Sequence, residues 1–273
     1  MDSSELRQLR ILAAKSRLGA ILGTYHAKSG HPGGSLSIAD VLTYLYFEKM
    51  NIDPDNPEMQ NRDRLVLSKG HAAPALYSVL ANRGYFPVED LKSLRKTDHY
   101  LQGHPCIKIP GVDMSSGSLG QGISVAVGMA LSAKHFGEDY KVYTICGDGE
   151  IEEGQVWEAA MFAGNKGLSN LIASIDLNGL QIDGTVDEVN SPRPVDAKFS
   201  AFNWHVIVID GHDFNQIEAA LNEAETVDKP VAIIMNTTKG KGVSFMENQV
   251  SWHGAAPNKE QYDIAIAELS ANL

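Results

Sequence analysis

Asp148 stands between two glycines, in Cys146-Gly147-Asp148-Gly149-Glu150, directly after an apolar run. Glycines at such a point let backbone N–H groups approach a phosphate, and a helix opening there favours an anion. The Asp148 carboxylate is the hard oxygen donor that Mg²⁺ or Ca²⁺ takes beside a diphosphate. Further along, the run Leu171 to Leu177 leads into Asn178-Gly179-Leu180. If the two runs are adjacent parallel strands, their ends are neighbours, and Asp148 and Asn178 converge. A carboxylate, an amide oxygen, a backbone carbonyl near Leu180 and two diphosphate oxygens would nearly complete an octahedron. Gly-Asp-Gly and Asn-Gly are each ordinary turn signals. It is their joint placement at two strand ends that favours binding over a plain turn.

Histidines supply the second chemistry. Of the nine, His31, His71, His104 and His253 have Gly or Pro neighbours in segments that read as loops, where distant parts of a chain can converge. Imidazole can donate to a phosphate or a sugar hydroxyl and can move protons near neutral pH. Zinc is the competing reading of four histidines, but their spacings lack the His-x₃₋₅-His pattern. His26, His99, His135 and His205 have sufficient surface or core explanations, as do Asp40, Asp63 and Glu48. Asp213 reads as a helix cap, and Met161 and Phe162 read as core.

The elements that must position these groups follow from periodicity. Leu6, Leu9, Ile11, Leu12, Leu18, Ile21 and Leu22 mark a first helix, with Ser3 or Ser4 as cap. A second helix is expected over Ser37–Met50, capped by Ser35 or Ser37. Helices are also expected over Ala72–Arg83, Ser118–Phe136, Ile151–Lys166 and Phe214–Glu225. Strands are expected at Arg64–Leu67, Lys141–Cys146, Leu171–Leu177, Trp204–Ile209 and Val231–Asn236. Strands alternating with helices predict an α/β fold, a doubly wound and mostly parallel sheet with helices on both faces. Its functional loops lie at the carboxyl ends of the strands. Residues 97–117 form a long Gly- and Pro-containing loop, a length usually kept for function.

The chain has 273 residues and a formal net charge of −11, with 43% hydrophobic and 21% charged residues, the composition of a soluble globule. The acidic balance argues against nucleic acid as the main partner. No apolar run is long enough for a membrane span, the N-terminus lacks the apolar block of a secretory signal, and two cysteines cannot form a disulfide framework. A cytoplasmic setting is expected.

The residues as a set resemble the transketolase family. The resembling segments are Lys28-Ser29-Gly30-His31-Pro32-Gly33, Asp63-Arg64 with Leu67-Ser68-Lys69-Gly70-His71, Gly103-His104-Pro105, Gly117-Ser118-Leu119-Gly120-Gln121-Gly122, Gly147 to Gly154 with Asn178, Ile182-Asp183-Gly184, Asp210-Gly211-His212-Asp213 and His253-Gly254. They occur in family order over nearly the whole chain. The resemblance implies thiamine diphosphate as cofactor, held with Mg²⁺ or Ca²⁺ through Asp148, Asn178 and the Leu180 carbonyl. It also implies cofactor contacts at His71, Gly117, Ser118, Leu119, Gly149, Glu150, Glu153, Asn178 and His253. Ser118 stands where the family commonly has Pro. His31 and His104 correspond to substrate-contacting histidines, His253 to one touching both diphosphate and substrate, and Glu153 to a glutamate reaching toward the dimer axis. The implied reaction moves a two-carbon ketol group from a ketose phosphate to an aldose phosphate, with His31, His71, His104 and His253 assisting.

The resemblance covers only the diphosphate-binding domain, expected here as a single domain over residues 1–273. Nothing after Asn236 is long enough for the aminopyrimidine-binding or C-terminal domains of complete transketolases. The chain therefore resembles one half of a split transketolase, with a second subunit on another polypeptide. The expected assembly is a heterotetramer of two copies of each chain, with no membrane or nucleic-acid partner. The helices at Ser118–Phe136 and Gln155–Lys166 could face that partner chain or simply pack on the sheet. Competing readings are a diphosphate-binding subunit of a 2-oxo acid-utilising enzyme, a non-catalytic thiamine diphosphate-binding module, and a purine-nucleotide-binding domain. The last lacks the phosphate-loop pattern G-x-x-x-x-G-K-[ST].

Overall fold

The structure, a computed structural model, describes residues 1–273. In chain order the first elements are helices α1 (Ser3–Ala27), α2 (Pro32–Ser37) and α3 (Ala39–Tyr44), strand β1 (Arg64–Leu67) and helices α4 (Ala73–Arg83) and α5 (Gln121–Phe136). Strand β2 (Val142–Gly147), helix α6 (Gly154–Lys166) and strand β3 (Leu171–Leu177) follow. A short hairpin, β4 (Leu180–Gln181) and β5 (Gly184–Thr185), precedes α7 (Val186–Val189) and α8 (Val195–Ala201). The chain then runs through β6 (His205–Asp210), α9 (Phe214–Glu225), β7 (Val231–Asn236) and α10 (Lys259–Ser270).

The main sheet has five strands in the order β1-β2-β3-β7-β6, all parallel. Every residue of β2 and β3 is buried. This is why those runs are nearly continuously apolar rather than alternating. Successive side chains still enter opposite layers. Tyr143, Ile145 and Ile172 join a core with α1, α3, α4 and α9, whereas Val142, Cys146, Ala173 and Ile175 join one with α5, α6 and α8. Register places Gly147 opposite Asp176, and Leu177 opposite Asn236. The loops leaving β2, β3 and β7 therefore start level with one another, at the carboxyl end of the sheet.

The sheet and its helix layers are those expected, but several boundaries differ for local reasons. Asp2, not Ser3 or Ser4, caps α1; its side chain accepts from the Ser4 and Glu5 amides while Glu5 reaches back to the Asp2 amide. The expected Ser37–Met50 helix begins earlier, at Pro32, since proline suits the first helical turn. Ser35 and Ser37 do not cap it, because their hydroxyls donate to the His31 carbonyl and the Asp176 carboxylate. It breaks at Ile38 and ends in a wider π turn over Leu45–Lys49. α5 starts at Gln121 rather than Ser118, because the Gly120 amide donates to the Glu150 carboxylate. α6 starts at Gly154, after a 3₁₀ turn over Glu150–Glu152.

Met161 and Phe162, expected in the core, are 55% and 40% exposed on α6. The sheet-facing stripe of α6 is made instead by Val156, Ala159, Ala160 and Ala163. α10 has no counterpart among the expected elements, although Asn258 and Gln261 form a capping box that starts it.

Candidate active site

Four strand ends and two glycine-histidine loops enclose a cavity of about 260 Å³. Its floor is a buried ionic network. Asp176, the penultimate residue of β3, is 0% exposed. It accepts from the Lys69 ammonium and the Thr237 hydroxyl, from Ser37 Oγ at 2.7 Å and from Asn178 Nδ2 at 2.9 Å. Burial opposes its charge, but Lys69 and these hydrogen bonds outweigh burial and hold its pKa below the ordinary carboxylate range. Glu150 is a second buried carboxylate. It accepts from Ser68 Oγ at 2.5 Å, the Gly120 amide at 2.9 Å and the Gly147 amide at 3.0 Å. One side chain thus joins the ends of β1 and β2 to the turn before α5, although burial pushes its pKa up.

Asp148 follows β2 at the rim of this floor. Its oxygens accept from the Gly179 amide at 2.6 Å and from the Gly149 amide at 2.9 Å. Burial, and then the nearby Asp176 charge, raise its pKa to about 6. Asn178 is oriented without ambiguity: its Nδ2 serves Asp176, so Oδ1 accepts from the Leu180 amide at 3.1 Å. The Leu180 carbonyl accepts from Lys239 Nζ at 2.9 Å, so a cation already rests on that oxygen. Asp148, Asn178 and Leu180 line one wall together.

The opposite wall is imidazole. The rings of His31, His71 and His253 pack with centroids 5.2 to 5.6 Å apart. His104 lies beyond, 6.4 Å from His31. Burial first, and then neighbouring positive charge, lowers His31 to about 4 and His253 to about 3, and lowers His71 and His104 as well. All four are neutral at pH 7. Lys239 Nζ lies 2.9 Å from His253 Nδ1. An ammonium can only donate, so Nδ1 accepts and the His253 ring proton sits on Nε2. His31 Nδ1 is buried with no hydrogen-bond partner. No group of three or more His, Cys, Asp or Glu side chains has a metal-holding arrangement.

The approach of the chain to this cavity requires missing side chains. A Cβ on Gly33 would lie 2.7 Å from the Trp252 carbonyl oxygen. At Gly117, φ is +156°, in the region that favours glycine, and a Cβ there would lie 3.2 Å from the His104 ring.

The domain model described as "Transketolase, thiamine diphosphate binding domain" matches residues 8–270. The chain belongs to the transketolase thiamine diphosphate-binding domain family. It is 50% identical over 242 residues to the 6-deoxy-6-sulfo-D-fructose transketolase subunit SqwG of Clostridium sp. (strain MSTE9), covering 88% of each chain. It is 42% identical to an apulose-4-phosphate transketolase subunit of Phocaeicola vulgatus, over 98% of this chain and 96% of that one. The crystal structure of transketolase from Campylobacter jejuni subsp. jejuni superposes with a TM-score of 0.92 at 36% identity. That match covers 99% of this chain but 43% of the solved one. The chain therefore spans less than half of the longer transketolase and nearly all of the two subunit-named relatives.

Within this transketolase domain, His31, His71, Gly117, Leu119, Asp148, Gly149, Glu150, Asn178, Leu180 and His253 come together as lining of the one cavity. His104 stands at its edge, whereas Ser118 and Glu153 lie outside the lining and are exposed. Asp213 caps α9, as its position before the apolar run suggested. Lys69, Asp176 and Lys239 were not singled out from the sequence. Asp176 carried a readable signal, since a carboxylate in a wholly buried strand needs a cation. Lys239 did not, because its placement depends on a relay across the fold. Arg17 Nη1 donates to Asp40 Oδ1 at 3.0 Å, and Asp40 Oδ2 lies 2.7 Å from His212 Nδ1. His212 Nε2 accepts from the Thr238 amide at 2.8 Å, so the ring proton is on Nδ1 and is donated to Asp40. That chain fixes the residue next to Lys239.

Proposed function

We propose that this chain is the diphosphate-binding subunit of a two-chain transketolase, a single domain over residues 1–273 whose active site a second subunit completes. The observation that carries the reading is the division of one cavity into an oxygen-donor wall and a neutral-imidazole wall, built on the carboxyl ends of β1, β2, β3 and β7. Thiamine diphosphate, when bound, supplies the carbon nucleophile and the electron sink for breaking a carbon–carbon bond. This chain's residues bind, orient and move protons.

Asp148, Asn178 Oδ1 and the Leu180 carbonyl form a hard oxygen set that fits Mg²⁺ or Ca²⁺. Only one of the three is a carboxylate, so the remaining ligands come naturally from a diphosphate. The fit is supported by Lys239, whose ammonium rests on the Leu180 oxygen. His71, Gly149, Gly117 and Leu119 line the same cavity and would hold the diphosphate, with Ser118 exposed in the turn between Gly117 and Leu119. Glu150 acts through its three hydrogen bonds, holding Gly147 and Gly120 in place. His31, with its unpartnered Nδ1, can take the proton of a sugar hydroxyl, and His253 can donate from Nε2. Burial keeps the His31 ring neutral at pH 7, so its Nδ1 lone pair is open to a hydroxyl donor, whereas the His253 lone pair is already taken by Lys239 and only its Nε2 proton is offered. Glu153, exposed before α6, is free to meet a second copy near the dimer axis.

Met161 and Phe162 are exposed on α6, and α6 and α5 are the helices proposed to face the second subunit. A heterotetramer of two copies of each chain is the assembly proposed. The donor is proposed to be a ketose with a tetrahedral anion at its far end. One relative is named for a sulfonated sugar and another for a sugar phosphate, so a panel of both is the appropriate assay. No helix is long and apolar enough to cross a membrane, and a cytoplasmic enzyme is proposed.

The test is to tag this chain in its source cells and recover what binds it. A stoichiometric second chain carrying an aminopyrimidine-binding domain, with ketol transfer only when both are mixed, is expected. Full turnover by the purified chain alone would overturn the two-chain reading.

A further inference from the structure

We infer that Arg95 is a positioning residue that ties the two Gly-His-Pro loops together and holds His31 and His104 as a pair. The inference rests on the proposed assignment of those two histidines to substrate.

Arg95 reaches both loops at once. Its Nη1 donates to Ser29 Oγ at 3.1 Å, in the segment Ser29-Gly30-His31-Pro32. Its guanidinium lies flat against Gly103, in Gly103-His104-Pro105; a Cβ on Gly103 would lie 2.7 Å from Cζ, 2.8 Å from Nε and 2.9 Å from Nη2. Gly103 is thus a contact surface for the guanidinium. The Arg95 amide donates to the Leu101 carbonyl at 2.8 Å, closing the turn that leads into Gly103. The residue pays for this placement with φ +61°, a left-handed conformation that costs a non-glycine residue. Strain of this kind persists where surrounding contacts over-determine it, and it clusters at functional sites. From the other side, Tyr77 Oη donates to the His104 carbonyl at 2.7 Å.

The guanidinium has no carboxylate partner: Arg95 takes part in no ion pair. Its charge instead faces the two imidazoles and disfavours their protonation. The groups facing His31 are Arg95, His71, His104, His253 and Lys239, and those facing His104 are Arg95 and His31. No anion sits among them. A planar, permanently charged fork suits this double task in a way that a lysine does not.

The experiment uses the two-chain enzyme with thiamine diphosphate and Mg²⁺. Arg95→Gln should raise the KM for the ketose about tenfold, as expected for loss of ground-state positioning, with cofactor affinity unchanged. The acid limb of its kcat/KM profile should also move to higher pH, because the imidazoles lose a neighbouring cation. Arg95→Lys keeps the charge and loses the fork, so the acid limb should return while the KM stays raised. Gly103→Ala should raise the KM alone and add little in the Arg95→Gln background, the non-additivity of two groups in contact. Imidazole NMR titration of the full chain should show His31 and His104 protonating at higher pH in Arg95→Gln. Wild-type KM, pH profile and histidine titration in Arg95→Gln would overturn the inference, as would a changed melting temperature or cofactor affinity with those three unmoved. His31→Ala and His104→Ala separate the two claims: if both leave the ketose KM and kcat unchanged, the substrate assignment falls. If both are impaired and Arg95→Gln is not, only the role of Arg95 falls.

Discussion

The two walls of the cavity solve opposite problems. The oxygen wall is built on strand ends, over an ionic floor that is saturated: Asp176 has four hydrogen-bond donors and Glu150 has three. The imidazole wall is built on loops and is under-partnered, with His31 Nδ1 buried and unpaired and His104 exposed. Buried charge cannot wait for a ligand, since an unpaired ion in a low dielectric is costly. A neutral imidazole can wait. The charged wall is therefore rigid before anything binds, and the neutral wall is left free to be completed by a ligand.

The largest break in that contrast is Asp176→Ala. It strands Lys69 without its partner and should cost about 3–5 kcal/mol, read as a lower urea midpoint at pH 7. A midpoint within the scatter of surface variants would show that the network is not structural. Next in size is Asp148→Asn. This variant should fold like wild type yet bind thiamine diphosphate with Mg²⁺ about 10–100-fold more weakly by calorimetry, the usual effect of damaging a metal site. Equal weakening of fold and binding would erase the distinction between Asp148 and the floor beneath it.

Acid should act on the imidazole wall. An unfolded histidine takes up a proton near pH 6.5, whereas folded His31 does so at about 4 and His253 at about 3. Between those values the unfolded chain binds more protons, so stability rises with pH there. The contribution is fully present above about pH 6.5 and is lost as pH falls toward 4 for His31 and 3 for His253. Across pH 7 to 4 the urea midpoint of wild type should fall further than that of His31→Gln, which has no proton to take up at that position. Parallel curves would mean that His31 titrates normally. The smallest effect on stability is expected for His104→Ala. As an exposed site it should change stability by no more than about 0.5 kcal/mol, while raising the KM for the ketose in the two-chain enzyme. A large loss of stability would mean that His104 belongs to the fold as much as to the cavity.

Much of this was legible from residue types. β3, α9 and β7 fall where their apolar runs begin and end, because a buried parallel strand or an amphipathic helix declares itself by period. Asp148, Asn178 and the four histidines were readable for a different reason: glycine beside a polar residue marks backbone that must bend or approach closely. The misplaced boundaries share one cause. Ser35, Ser118 and Ser3 each have the chemistry to cap a helix, but Pro32, the Glu150–Gly120 hydrogen bond and the Asp2 capping box compete for the same backbone groups and prevail. Met161 and Phe162 looked like core because side-chain type does not say which stripe of a helix meets the sheet.

Local periodicity and glycine placement were enough to specify an α/β sheet with a polar cavity at its strand ends, because both act within a few residues. The pairing of Lys69 with Asp176, the relay from Arg17 through Asp40 and His212 to Thr238, and the reach of Arg95 across two loops were decided by the folded chain. Each joins segments far apart in sequence. Burial makes such pairings necessary, and no spacing rule along the chain records which distant group will answer.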